Sequence, residues 1–258
     1  MDMLGGKYGV ASKSLPQNDI ATVEVMKHHT PIRVLDDFVY SDESAINVRM
    51  KKGAKAHWIA TFNGGIGYKS GGGLWNFESF AMRLKQNWQT MITYKTNNSG
   101  RDIVHETNKA FTYGELDSRL IPFISLPSPA SSRLGERSLF NRSHTLNLNM
   151  LQRINETSQV NVQVTYINDR QETFSKRTAK YFSKRGNKVS DNEKHYIAKT
   201  NELFAKVKYE NNANSQYLKN ELSTNLNWNK QLLIERGTNP HEMNGNLPVF
   251  TLKDNLLL

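Results

Sequence analysis

The chain has 258 residues, a formal net charge of +10 and no cysteine, so disulfides, thiol catalysis and thiolate metal sites are excluded. Only 37% of the residues are hydrophobic, and no apolar run approaches the roughly 18 residues of a membrane-spanning helix. A chain of this size can form one or two domains with a sizeable core. A membrane β-barrel also fits this composition, because half of each of its strands is polar.

The N-terminal part of the chain, residues 1–55, lacks the regular alternation of the rest. Pro16 and the Thr30-Pro31 step predict loops, because proline cannot donate to a strand ladder and disfavours helix in the residue before it. Two short strands are predicted here, one around the Val-Glu-Val run at 23–25 and one over residues 45–51. Residues 52–55 follow as a basic linker.

From Trp58 onward, apolar and polar residues alternate with a period of two, which predicts β-strands because successive side chains of a strand point to opposite faces. The apolar residues share one parity in each predicted strand: Trp58, Ala60, Phe62, Ile66 and Tyr68; Trp88, Thr90, Ile92 and Tyr94; Leu146, Leu148 and Met150; Val160, Val162, Val164 and Tyr166; Leu203, Ala205, Val207 and Tyr209; Leu222, Thr224, Leu226 and Trp228. A last strand is predicted over residues 249–258. The opposite face is rich in amides and hydroxyls, as expected for a barrel with lipid outside and water inside. Soluble β-sandwiches also alternate.

The connections between these strands differ in length. Short connections are predicted near residues 85–87, 155–157 and 211–214. Long loops are predicted over residues 97–137 and 174–195. Outer-membrane barrels show this alternation of short periplasmic turns and long outer loops, which favours a membrane barrel over a soluble sandwich. The connection from Lys69 to Gly73 is short and departs from the rule.

The four tryptophans are predicted to form an aromatic girdle at the two membrane interfaces. Trp58 and Trp88 begin strands that run outward, so they belong to the periplasmic rim. Trp75 begins a strand that runs inward and Trp228 ends one that runs outward, so both belong to the outer rim. The alternative is that aromatic residues simply border the apolar edge of any sheet.

Basic residues concentrate in two clusters, 176–180 and 184–188, both in a predicted outer loop. Contact with lipid-A phosphates or with an anionic ligand is one interpretation, and an ordinary solvated loop is the favoured one. No nucleic-acid partner is expected, because the chain has no recognition motif and its aromatic residues follow strand parity.

Two motifs in the first 55 residues resemble the plug domain of TonB-dependent outer-membrane receptors, in their Bacteroidetes-type variant. The first motif covers residues 19–25, and the second, about twenty residues later, leads into Lys51, Lys52 and Gly53. The motif residues are Asp19, Ile20, Val23, Glu24 and Val25, followed by Ala45, Ile46, Asn47 and Val48. Family barrels have about 22 strands, so the resemblance covers the second half of a plug and the first barrel strands. No TonB box and no first half of the plug is recognised.

The resemblance implies a mainly β fold: a partial α+β plug domain over residues 1–55, and over residues 56–258 about 7–8 strands of an antiparallel transmembrane β-barrel. It implies a receptor in the bacterial outer membrane that takes up a large or scarce ligand through a plugged barrel. The implied partners are outer-membrane lipid and lipopolysaccharide, TonB and an unidentified ligand. A passive or surface-binding barrel and a soluble β-rich binding domain are the alternatives.

The resemblance also assigns roles to single residues. Glu24 is expected to pair with basic groups of the barrel wall, and Asn47 to satisfy backbone groups at the last plug strand. Four acidic residues are candidates for the barrel lumen: Asp169, Glu172, Glu202 and Glu221. No enzyme, cofactor or metal site is expected. Because residues 1–6 do not resemble an export signal, the chain is expected to be a piece of a longer protein.

Overall fold

A computed structural model describes the chain in several ranges. These are residues 20–26, 32–35, 45–51, 57–69, 71–85, 87–104, 140–182, 186, 188–237 and 240–258. Several sequence predictions lie outside the described residues: the Pro16 and Pro31 loops, Asp19, linker 52–55, most of the 97–137 connection and part of the 184–188 cluster.

The first of two sheets contains two short antiparallel strands, β1 (Ile20–Met26) and β2 (Ala45–Met50). Glu24 lies opposite Asn47 in their ladder. A single 3-10 turn, Arg33–Leu35, lies between them in the chain. Both short strands predicted from sequence are therefore present, and they pair with each other.

The second sheet contains eight antiparallel strands in chain order, each hydrogen-bonded to its neighbours in the sequence. They are β3 (His57–Lys69), β4 (Gly72–Lys85), β5 (Trp88–Asn97), β6 (Phe140–Arg153), β7 (Ser158–Tyr181), β8 (Lys188–Asn212), β9 (Tyr217–Arg236) and β10 (His241–Leu257). Strands β3 and β10 form the two edges, so the sheet is not closed. The mainly β, antiparallel class and the predicted strands are confirmed.

Tight turns join β4 to β5, β6 to β7 and β8 to β9 at one end of the sheet. In the β6–β7 turn, the backbone N–H groups of Thr157 and Ser158 donate to Asn155 Oδ1 at 3.0 and 2.6 Å. Such an asparagine side chain mimics the backbone of a turn. The β8–β9 turn is closed by Ala213 N–H donating to Gln216 O at 3.0 Å. The three short connections are thus confirmed.

The loop predicted over residues 174–195 is wrong. Strand β7 continues to Tyr181, which lies opposite Lys188 at the start of β8, and the register between them is unbroken. The basic cluster 176–180 therefore belongs to a strand and not to a loop. The same extension affects Trp228, which was expected to end its strand, because β9 runs on to Arg236.

The two faces of the large sheet differ in chemistry and in exposure. The face that carries the apolar residues, here called the apolar face, is open: Phe62, Ile66 and Tyr68 are 77%, 85% and 82% exposed. The other face, here called the polar face, is crowded: Asn147 and Asn149 are each 2% exposed. Such burial of polar groups is expected on the inside of a curved sheet, where neighbouring side chains converge.

Apolar residues also occur on the polar face: Ile167, Tyr196 and Leu233 are buried there, and a further small cluster surrounds Met91. Met91 is 1% exposed and packs against Phe80, Leu84 and Leu151, near the end with the tight turns. Gly64 belongs to the apolar face, where a Cβ at this position would lie 2.7 Å from the Phe77 ring. Glycine at this position therefore leaves room for the Phe77 ring of the neighbouring strand.

Candidate functional site: the polar face of the sheet

Strand β6 supplies the most regular part of the polar face. Its inward parity is a run of small polar residues, all nearly buried: Asn141, Ser143, Thr145, Asn147 and Asn149. Neighbouring strands satisfy part of this run, since Thr165 Oγ1 donates to Asn147 Oδ1 at 3.0 Å. Buried polar side chains are usually hydrogen-bonded, so the face forms a polar lining and not a conventional core.

A chain segment, residues 98–104, folds onto this face after the end of β5. Asn97 Nδ2 and Asn141 Nδ2 both donate to Arg101 O, at 2.8 and 3.0 Å, and Gly100 N–H donates to Asn141 Oδ1 at 2.9 Å. Asn97 and Ile103 are 0% and 1% exposed. We call Asn97, Asn141, Ser143 and Asp169 the anchor, because they hold the first residues of the long connection against the sheet.

The anchor ends in a buried carboxyl group. Asn141 Nδ2 donates to Ser143 Oγ at 2.7 Å, and Ser143 Oγ donates to Asp169 Oδ1 at 2.6 Å. The pKa of Asp169 is raised from 3.8 to about 6, chiefly by burial; the hydrogen bond from Ser143 opposes this shift and the nearby Asp102 adds to it. Asp169 lies beyond the last apolar-face residue of the repeat in β7, Tyr166.

Replacing Asp169 by asparagine is expected to stabilise the chain at neutral pH and not in acid. Because the folded pKa is raised, this group contributes stability that is fully present below pH 3.8 and is lost as the pH rises through about 6. The shift corresponds to at most about 3 kcal/mol. Urea unfolding of Asp169→Asn and wild type, near pH 4 and near pH 7.5, measures the difference.

The exposed carboxyl of Asp254, which accepts a 3.0 Å hydrogen bond from Asn220, is the matched control. Asp254→Asn removes a charge at an exposed position, so the stability of this variant is expected to stay within about 0.5 kcal/mol of wild type. Equal stability of Asp169→Asn and wild type at both pH values would contradict the role given to the buried carboxyl.

Ion pairs line the polar face of β8 and β9 near the tight turns. Lys208 Nζ lies 3.2 Å from Glu210, and Lys206 and Lys219 lie 3.9 and 3.4 Å from Glu221. Lys206 and Lys208 are each 8% exposed. Charges buried to this extent require partners, so the pairs neutralise the face and keep it hydrophilic.

Three of the four acidic residues expected in a lumen lie on the polar face. Asp169 belongs to the anchor, Glu202 accepts a 3.3 Å hydrogen bond from Asn225, and Glu221 is paired as described. Glu172 is the exception: it shares the opposite face with Arg170 and forms an ion pair with it. Because Glu172 is three residues from Asp169, strand parity places the two on opposite faces, so the four acidic residues do not share one face.

An open cleft of about 520 Å³ lies at the end of the sheet with the tight turns. It is lined by Arg33, Asn87, Arg153, Asn155 and Glu156. Nearby, Arg33 N–H donates to Asn212 Oδ1 at 2.9 Å, so the 3-10 turn between β1 and β2 contacts the end of β8.

The residues of the first predicted plug motif lie largely exposed on β1, where Val23 and Val25 are 55% and 62% exposed. Glu24 is half-buried, and it lies opposite Asn47 in the ladder. The second motif, Ala45 to Val48, forms most of β2. The roles expected for Glu24 and Asn47 stay predictions.

The tryptophans all lie on the apolar face. Trp58 and Trp88, 59% and 42% exposed, lie at the end with the tight turns. Trp88 Nε1 donates to Thr90 Oγ1 at 2.8 Å. Trp75 lies near the opposite end of β4, and its Nε1 donates to Thr96 Oγ1 at 3.1 Å. Trp228 lies within β9 and not at its end. The assignment of the four tryptophans to two membrane interfaces stays a prediction.

Within the described ranges, the chain forms no group of side chains suited to hold a metal ion. Nor do those ranges contain a helix long and apolar enough to cross a bilayer. No family model, no curated protein and no solved structure matches the chain.

The anchor does not follow from the sequence predictions. They place Asn97 at the start of a loop, and Asn141 lies just beyond the recognised repeat of Leu146, Leu148 and Met150. The run from Asn141 to Asn149 is the sequence feature that could have predicted the anchor, because small polar residues at every second position predict a strand with one polar face.

Proposed function

We propose that this chain forms part of the barrel wall and plug of a TonB-dependent outer-membrane receptor of the Bacteroidetes type. The whole receptor binds a large or scarce ligand outside the cell and imports it, and its role is transport, without catalysis. The anchor and the ion-paired polar face line the lumen in this proposal. The β1–β2 pair contributes to the plug.

The observation that carries the proposal is the inversion of the two faces. A soluble sheet buries its apolar face and exposes its polar face. Here Leu146 and Leu222, on inner strands, are 40% and 44% exposed, whereas Asn147 and Asn149 are almost inaccessible. Burying one large apolar side chain is worth about 1.5–3 kcal/mol, so a face of this kind requires an apolar surrounding. Lipid provides it over the whole face at once.

The dimensions of the apolar face support the same conclusion. On β7 the apolar residues run from Val160 to Tyr166, and polar residues, Asn168 and Arg170, follow on the same face. Strands rise about 3.3 Å per residue, so the run covers about 20 Å. With the flanking residues it approaches the 9–11 residues, roughly, that a tilted strand uses to cross the hydrocarbon core.

The strand arrangement supports a wall of a larger barrel. Every strand of the large sheet pairs with its chain neighbour, as in outer-membrane barrels. Three tight turns lie at one end, and at the other end the β5–β6 connection is long whereas the β3–β4, β7–β8 and β9–β10 connections are short. Among the described residues, β3 and β10 have one strand partner each. A membrane leaves no free sheet edge, because unpaired backbone groups cannot be satisfied in lipid. Further strands of the receptor complete both edges in this proposal.

The function is tested in the native cell. The chain is expected in the outer-membrane fraction. Lys176 and Lys180, near the end of β7 that lies away from the tight turns, are expected to react with an amine reagent that cannot cross membranes. Deleting its gene and deleting the gene for TonB are expected to abolish growth on the same nutrient within a panel of large glycans and chelated metals. Surface labelling without any shared growth defect would contradict energised import and favour a passive barrel.

A further inference from the structure

Four basic residues lie side by side on four neighbouring strands. Arg142 of β6 is opposite Arg170 of β7, Arg170 is opposite Lys199 of β8, and Lys199 is opposite Lys230 of β9. We call these four residues the cation row. All four side chains are exposed. Since neighbouring strands are about 4.8 Å apart, the row extends over about 15 Å in a line across the strands.

The cation row lies on the apolar face beyond the apolar run of each strand, and on β6, β7 and β8 one polar residue, His144, Asn168 or Asn201, lies between. Arg170 follows Tyr166 by four residues, Lys199 precedes Leu203 by four, and Lys230 follows Trp228 by two. The apolar run that begins near the tight turns therefore ends before one common level on these strands, and beyond the row the same face carries Phe140, Ile197 and Leu232. A boundary of this kind is expected where a hydrocarbon layer ends and charged headgroups begin.

The described residues balance the charge of the row only in part. Within the described part of the chain, the acidic residue that pairs with the row is Glu172, which contacts Arg170. The Arg142 guanidinium lies over the Trp75 ring instead, 5.7 Å from its centre. Like charges directly opposite each other destabilise a sheet. Lys199 and Lys230 lie directly opposite each other, and the row keeps an excess of positive charge that an external anion would offset.

We propose that the cation row binds the phosphate groups of anionic lipids in the membrane leaflet that surrounds this end of the sheet. This inference rests on the proposed function, since it requires the apolar face to contact lipid. Arginine matches phosphate with two parallel N–H donors, and lysine supplies a mobile point charge. Trp75 and Trp228 flank the row and suit the same interface, because their rings are amphipathic.

The test uses the full chain reconstituted in nanodiscs of phosphatidylcholine that contain a minor fraction of phosphatidylglycerol. Native mass spectrometry then counts the phosphatidylglycerol molecules retained by the released protein. The row variant is R142Q/R170Q/K199Q/K230Q. Each basic residue near an anionic surface contributes about a fivefold gain in binding, so the variant is expected to retain at least about tenfold less of the anionic lipid than wild type does.

The control variant, K176Q/R177Q/K180Q/R236Q, removes the same charge from exposed residues farther along β7 and β9. It is expected to retain lipid as wild type does. A second variant, R142K/R170K, keeps the charge and is expected to retain most of the lipid, which separates charge from damage to the fold. Equal retention by the row and control variants, or no preference of wild type for the anionic lipid, would overturn the proposal. Failure of wild type to enter nanodiscs would overturn the proposed function, and this inference with it.

Discussion

Arginine in place of Val164 is expected to destabilise the membrane-inserted chain by about 2–4 kcal/mol, the cost of a basic residue on the lipid face near the middle of a bilayer. Val164 lies in the middle of the apolar run of β7, between Leu148 of β6 and Ala205 of β8. Urea unfolding of the protein in lipid vesicles measures the change. On an exposed face of a soluble sheet, the same substitution stays within about 0.5 kcal/mol.

The matched control is arginine in place of Asn227, on the polar face of β9. Asn227 lies opposite Glu202, and its side-chain oxygen has no hydrogen-bond partner. An arginine here can pair with Glu202 in a hydrated lumen, so a change within about 1 kcal/mol is expected. If Asn227→Arg were costly and Val164→Arg harmless, the assignment of the two faces would be reversed.

Loss of the Asn141 side chain is expected to release the segment 98–104 from the sheet. Asn141 joins Asn97, Gly100, Arg101 and Ser143, so Asn141→Ala leaves several buried polar groups without a partner. Each such group costs about 1–3 kcal/mol, and about 2–4 kcal/mol is expected for this site. Hydrogen exchange is the measurement, and the amide of Ile103 is expected to exchange at least about thirtyfold faster.

Asn220→Ala is the control for this prediction. Its hydrogen bond to Asp254 is exposed, so water replaces it at little cost. Exchange in the segment 98–104 is expected to be unchanged in this variant. Unchanged exchange in Asn141→Ala as well would show that the segment is held by other contacts, such as the burial of Ile103.

The alternation of side chains was sufficient to predict most strands of the large sheet. Val160 to Tyr166 and Leu203 to Tyr209 each have one apolar parity and one polar parity, and this period of two is typical of a β-strand with two different faces. The tight turns followed from the spacing between such runs. Asn155 adds a direct chemical cause, because its side chain accepts two backbone N–H groups in the turn.

The extension of β7 and β8 could not be predicted in this way. Residues such as Ser175, Lys176 and Arg177 are polar on both faces, so the alternation stops although the backbone ladder continues. There the backbone ladder is supplemented by side-chain contacts, such as the stacked rings of Phe174 and His195 and the ion pair of Lys176 and Glu193. Polarity on both sides was therefore mistaken for a loop.

The candidate site depended on register, which a single sequence does not reveal. Asn97 and Asn141 are far apart in the chain, and only the pairing of β5 with β6 brings them together. The cation row arises in the same way, from three successive ladders. By contrast, the face on which Glu172 lies was predictable from parity alone, because Glu172 is three residues after Asp169 in the sequence.

The most direct test of the central claim, that the apolar face contacts lipid, is a scan of single cysteines along β7. The chain has no native cysteine, so a spin label can be attached at each residue from Val160 to Tyr166 in the membrane-inserted protein. Collision rates with oxygen, which concentrates in lipid, are predicted to peak at every second residue: Val160, Val162, Val164 and Tyr166. Collision rates with a water-soluble nickel chelate are predicted to stay low at these four positions. At Asn161, Gln163 and Thr165 they are predicted to exceed the collision rates with oxygen. High chelate accessibility at the four apolar positions, or no period of two, would contradict the account.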